Sequence, residues 1–162
     1  MALKVPLVLY SGLPGQLQSS DTLAVPSISA GVVVQQTNDE AGAIVIGAPV
    51  YNDVNDGVKK GKADASGTSS IIGLVAQASI SNGVAGSIQF DGVLTATTGQ
   101  WDAIMGTSGG LTKGVRYFLS AATAGLGTST APTTTGQYVV LLGIAISTTE
   151  LHLAAPYTPI AL

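Results

Sequence analysis

From Gly31 to the C-terminus, short runs of Val, Ile, Leu, Thr and Tyr are cut every few residues by clusters of Gly, Asn, Asp and Ser. β-Branched and aromatic side chains suit a pleated, half-buried surface, while the interrupting residues tolerate positive φ or bond their own backbone. The pattern places strands over residues 32–36, 44–51, 71–78, 86–95, 115–120, 138–147 and 151–155. Asn52-Asp53-Val54-Asn55-Asp56-Gly57, Ser81-Asn82-Gly83 and residues 125–136 read as the turns and loops between them. Helical spacing occurs once: Trp101, Ile104 and Met105 share one side of Thr98–Met105, and Gly106 follows as a stop. The expected fold is all-β, a compact β-sandwich or barrel-like domain over residues 31–162 with at most one short helix near residues 99–105.

Residues 1–30 read differently. Pro6, Pro14 and Pro26, the Ser11-Gly12-Leu13-Pro14-Gly15 run and a polar stretch over residues 16–22 leave no sustained period. Proline removes a ladder donor and holds its predecessor extended, so this segment is expected to be an extended arm that drapes over a neighbour. The apolar run over residues 5–9 is too short and too interrupted by Pro6 for a membrane span or a signal peptide.

At 162 residues the chain suits one domain plus such an arm. Hydrophobic residues make up 46% and charged residues only 9%, a balance foreign to disordered chains, and no strict glycine period marks a fibrous one. Six Lys and Arg against nine Asp and Glu leave a net charge of −3, so no basic footprint exists for a phosphate backbone and nucleic acid is not an expected partner. With no cysteine there is no disulfide framework and no thiolate chemistry. A mean hydropathy of +0.45 with so few charges points to burial of further surface by association.

One internal echo is present. Ile71-Ile72-Gly73-Leu74-Val75-Ala76 and Leu141-Leu142-Gly143-Ile144-Ala145-Ile146 each read as two apolar residues, a glycine and an apolar run, and each lies downstream of a Tyr-bearing strand, at Tyr51 and Tyr117. The echo fits two structural halves with related strand order; it fits equally two buried strands that each need a glycine where another backbone approaches. No period of 20 to 50 residues recurs three times, which argues against a propeller or solenoid.

Chemistry-bearing patterns are thin. His152, the only histidine, alternates with Leu151 and Leu153 and so belongs to one face of a strand; a titratable interface switch is its other reading. One His and no Cys do not make the usual zinc set. The Asn52 to Gly57 cluster misses the EF-hand spacing, because Val54 and Ala63 fall at its third and twelfth places, so a tight turn is expected. Gly106-Thr107-Ser108-Gly109-Gly110-Leu111-Thr112-Lys113-Gly114 resembles a phosphate-cradling loop, but Lys113 is followed by Gly114 and a β-like run rather than Ser/Thr and a helix. Asp91, Asp102 and Glu150 supply acids without a spacing that selects a pair for glycoside hydrolysis. Trp101 is solitary and reads as a core anchor. No enzymatic activity, metal or cofactor is expected.

A family pattern enters with the order Ile72-Gly73-Leu74-Val75, Gly86-Ser87-Ile88, Gly92-Val93-Leu94-Thr95, Gly114-Val115-Arg116-Tyr117-Phe118-Leu119-Ser120, Gly125-Leu126, Ala131-Pro132 and residues 138–147, together with the opening over residues 13–23. Covering some two thirds of the chain, it resembles small β domains of tailed-bacteriophage virions, found in capsid decoration (cement) proteins and in head or tail fibre proteins. A fibre normally needs a long repetitive shaft, and after the arm this chain has room for one compact domain, so decoration is the better fit. The resemblance implies a structural virion protein on the outer capsid surface, with the major capsid protein and its own copies, as a homotrimer, for partners. Attachment is then expected to fall on the arm, through Leu3, Val5, Pro6, Leu7, Val8, Leu9, Tyr10, Leu13 and Leu17. The alternative is a fibre-base module of the same virion, engaged in host attachment.

Overall fold

The structure, a computed structural model, describes residues 31–162. Its first half contains strands β1 (Val33–Asn38), β2 (Ile44–Val45), β3 (Pro49–Asn52) and β4 (Gly57–Lys60), the one-turn helix α1 (Ser66–Ser69), and strands β5 (Ile71–Val75), β6 (Ser79–Ile80) and β7 (Ala85–Gln89). The second half contains β8 (Val93–Thr95), helix α2 (Thr98–Met105), β9 (Arg116–Leu119), β10 (Gly127–Thr128), β11 (Tyr138–Val139), β12 (Leu141–Ala145), β13 (Glu150–Leu153) and β14 (Ile160–Ala161). The all-β reading holds, and the barrel is the form it takes: β1-β4-β3-β5-β7 close on themselves, and β10-β9-β12-β13-β8 form a five-stranded sheet beside them.

The two halves are built on one plan. In both, the second strand of the unit pairs with the third and the fourth, the fourth with the fifth, and the fifth with the first. The registers coincide residue by residue. Pro49, Val50 and Tyr51 face Leu74, Gly73 and Ile71, with a slip after Gly73; Arg116, Tyr117 and Phe118 face Ile144, Gly143 and Leu141, with the slip after Gly143. Val33 and Val34 face Gln89 and Ile88 as Val93 and Leu94 face His152 and Leu151. Before each second strand a glycine at positive φ, Gly47 (81°) and Gly114 (83°), donates its N–H to the end of the fourth strand, at Val75 and Ala145, both at 2.8 Å. The sequence echo is therefore the central strand of two related units.

The units part company at one point. β1 continues through Thr37 and Asn38, which pair in parallel with Gly57 and Val58 and close the barrel. At the corresponding place in the second unit stands Thr97, the N-cap of α2. Its side chain accepts from the N–H of Gln100, while the Gln100 side chain accepts from the N–H of Thr97, a capping box that ends the strand and starts the helix. Gly106, at φ 65°, ends it again. α2 then packs along the gap left open, with the Met105 sulfur against Gly127 of β10, where a Cβ would collide with it.

Three sequence expectations are corrected. Segments 44–51, 86–95 and 138–147 are not single strands: Gly47 (81°) and Gly92 (80°) turn the chain inside the first two, and Val140 separates β11 from β12 in the third. Gly57–Lys60, left outside the expected strands with Gly57 in the turn, is a barrel strand. A second helix exists at Ser66–Ser69. It has no apolar period, and the Ser69 and Ser70 hydroxyls instead donate back to the Ser66 carbonyl.

One apolar cluster runs through both units, from Ile44, Val50, Leu74 and Ile88 to Trp101, Tyr117, Leu142 and Leu151. Ala63, fully buried, is the seam: it donates to Ser120 and accepts from Tyr138, both at 3.0 Å, while Gly125 donates to Gly61 at 2.8 Å. Trp101 of α2 crosses the same boundary, its ring lying over Gly47 and its indole N–H donating to Thr149 at 2.9 Å.

Candidate interaction surface

Strands β8, β9 and β13 of the second sheet alternate, and β12 does so after the slip at Gly143. Tyr117, Leu119, Leu142, Ala145, Leu151, Leu153 and Leu94 are buried, so their neighbours point outward. Four of these align in register across the sheet: Arg116 on β9, Ile144 on β12, His152 on β13 and Val93 on β8. Ile146, two residues beyond Ile144 and just past the end of β12, is 42% exposed. The corresponding residues of the barrel are Pro49, Leu74 and Gln89, which are buried, and Val33, which is 48% exposed. Leu74 is 0% exposed and Ile144 is 37% exposed. The middle of the row is thus buried in the barrel and exposed in the second sheet, where Ile144 lies between Arg116 and His152.

His152 stands on this face, exposed between Ile144 and Val93. That is the strand-face position expected from its alternation with leucines. The Asn52 to Gly57 segment is a tight turn joining β3 to β4: Asp53 donates its N–H to Gly57 at 2.8 Å, and Asp56 takes φ 64°. The Asp53 carboxylate is paired with Lys59 at 2.8 Å and also accepts from the Asn55 amide, and these contacts hold its carboxyl below the usual range. Among the described residues no group of three or more metal-ligating side chains comes together.

The glycine-rich loop at 106–114 is occupied by the protein's own acid. Asp102 accepts from the N–H groups of Gly110 (2.8 Å) and Gly109 (3.0 Å) and from the Thr107 hydroxyl (2.8 Å). The Gly110 N–H is the main cause of a carboxyl held below its ordinary value, with Thr107 next, against the opposing effect of burial. The sequence singled out both the loop and Asp102 but did not join them; the signal was an acid placed just before a helix stop and followed by paired glycines.

An open groove of about 420 Å³ lies between Gln36, Asn52, Ile71, Phe90, Pro156 and Tyr157. Its one titratable lining group, Tyr157, spends its hydroxyl on the Phe90 carbonyl at 3.0 Å. The candidate arm residues Leu3, Val5, Pro6, Leu7, Val8, Leu9, Tyr10, Leu13 and Leu17 lie outside the described residues. The described chain enters at Gly31, pressed against Asp91 and Gly92, with the Val32 N–H donating to the Asp91 carboxylate. Entry is therefore immediately beside Val93, the end of the exposed row.

No family model, curated protein or solved structure matches this chain.

Proposed function

We propose that the chain is a structural, non-enzymatic virion protein that decorates the outer surface of a bacteriophage capsid and holds the shell through its arm and through contacts between copies. The observation that carries this reading is the exposed apolar pair Ile144 and Ile146 on a chain with 9% charged residues, where the barrel counterpart of Ile144, Leu74, is buried. Apolar surface left on a weakly charged β body favours permanent association over a free existence. The turn-and-strand resemblance to phage virion β domains supplies the class of partner: the major capsid protein and further copies, as a trimer.

Antibody labelling of intact purified virus particles, read by electron microscopy, tests the proposal. Dense label over the head is the expected result. Label confined to the tail replaces it with the fibre-base role, and unlabelled particles remove the virion reading altogether. A variant lacking residues 1–20 is expected to stay folded and to lose shell binding; full retention of binding would take attachment away from the arm.

A further inference from the structure

We propose that Asn82, in the turn between β6 and β7, is a self-modification site: its side-chain amide is lost to attack by the Gly83 nitrogen when the turn opens, and the product loosens barrel closure. The inference goes beyond the shell reading and does not depend on it.

The dipeptide sets the chemistry. Asn38, Asn52 and Asn55 are each followed by Asp, whereas Asn82 is followed by glycine. Glycine has no Cβ to shield its nitrogen and passes freely between backbone conformations. The Gly83 nitrogen forms a bond to Cγ of Asn82, the Cγ–Nδ2 bond breaks, and the Gly83 amide proton leaves with Nδ2 as ammonia. Water then opens the five-membered imide at either carbonyl, leaving aspartate or isoaspartate at position 82. Water is the one co-reactant, and both residues are exposed to it.

In the closed turn both reacting groups are tied down. The Gly83 N–H donates to the Asn38 carbonyl at 2.8 Å, and Asn82 Nδ2 donates to the Glu40 carbonyl at 2.5 Å. These bonds belong to a clasp centred on Asn38, which is fully buried. Asn38 donates its N–H to Val84 at 3.0 Å and its side-chain amide to Ile80 at 2.7 Å and Gly42 at 3.0 Å, while its side-chain oxygen accepts from the Glu40 N–H at 2.7 Å. The same segment shuts the barrel: the Asp39 N–H donates to Val58 at 3.0 Å, and the Glu40 carboxylate accepts from the Lys60 N–H at 2.9 Å, where β1 meets β4. Attack at Cγ therefore requires local opening of the clasp.

The product cannot restore what is lost. A carboxylate at position 82 has no proton to give the Glu40 carbonyl, and it adds negative charge against a segment that already carries Asp39 and Glu40. Isoaspartate also lengthens the backbone of the turn by one carbon. A reversible opening is thereby made lasting, and it is made at the point of closure.

The test follows conversion at Asn82 in the full chain by peptide mass spectrometry, in buffer and in guanidinium chloride, and measures Asn82→Asp and Asn82→Ala beside wild type. Conversion is expected in both solvents, at least about tenfold more slowly in buffer. Equal rates overturn the gating, and failure to convert in guanidinium chloride, or in buffer over months of storage, overturns the site. Asn82→Asp is expected to lower the melting temperature by about 2–4 °C and to speed hydrogen exchange at the Asp39 and Lys60 amides while β5 and β12 stay protected. Asn82→Ala, which loses the hydrogen bond without adding charge, is expected to lower it less. Wild-type stability and exchange in Asn82→Asp overturn the link to barrel closure, and an equal loss in Asn82→Ala overturns the part assigned to charge.

Discussion

Gly73 and Gly143 hold the same position in the two units, each facing a buried core residue, Val50 or Tyr117, at the point where the central strand slips register. Each also lies against a backbone oxygen of the next strand, Gln89 for Gly73 and His152 for Gly143, where a Cβ would collide. Both glycines therefore serve a close approach of strands, and both belong to related halves.

Gly73→Ala and Gly143→Ala are each expected to cost about 1–3 kcal/mol, because the neighbour in the way is backbone and does not move aside. Gly99→Ala, in the first turn of α2 with nothing within 4 Å of the new methyl, is expected to be neutral or to stabilise by up to about 1 kcal/mol. Urea midpoints at constant m-value check all three.

Thr97→Ala removes one arm of the capping box that turns the second unit away from barrel closure. The expected loss is about 1 kcal/mol, read from urea unfolding. Indole fluorescence should follow it, since Trp101, the only tryptophan, is fully buried over Gly47.

Asp102 ties down the 106–114 loop as a carboxylate, and its carboxyl is lowered in the folded chain. A lowered folded value means that its stabilisation is complete above the unfolded carboxyl's range, near pH 3.9, and is lost as pH falls through the folded value. Asp102→Asn should therefore lower the melting temperature at pH 7, and the gap from wild type should shrink below about pH 4. A gap independent of pH would assign the effect to shape rather than charge.

Tyr157 shows the opposite sign. Burial, with the Asp91 charge second, pushes its phenol well above the ordinary value. Stability linked to the neutral phenol is present below the unfolded tyrosine's value, near 10, and declines as pH rises above it. Tyr157→Phe should lose about 1 kcal/mol at pH 7 with the Phe90 hydrogen bond, and should show a flatter decline in melting temperature between pH 9 and about pH 11.

Helix α2 was legible because its signals are local: Trp101, Ile104 and Met105 on one side and Gly106 at the end. The breaks in strands 44–51 and 86–95 were written as Gly47 and Gly92, but a glycine in an apolar run equally marks close packing, and only the positive φ separates the two uses. α1 carries no apolar period to read. Of the surface argued above, His152 and the echo around Gly143 were visible as strand positions, whereas the row they form with Arg116 and Val93 depends on pairings across distant parts of the chain.

The order of residues by itself determined the β character, the single amphipathic helix and the repeated apolar-glycine strand, because propensity, turn chemistry and helical period act over a few neighbouring residues. Only the tertiary structure decided that one unit closes and the other stays open, and that Leu74 is buried while its counterpart Ile144 is exposed. Closure rests on Thr37 meeting Gly57, and burial rests on what packs across a strand; both are relations between residues far apart in sequence, which no local pattern encodes.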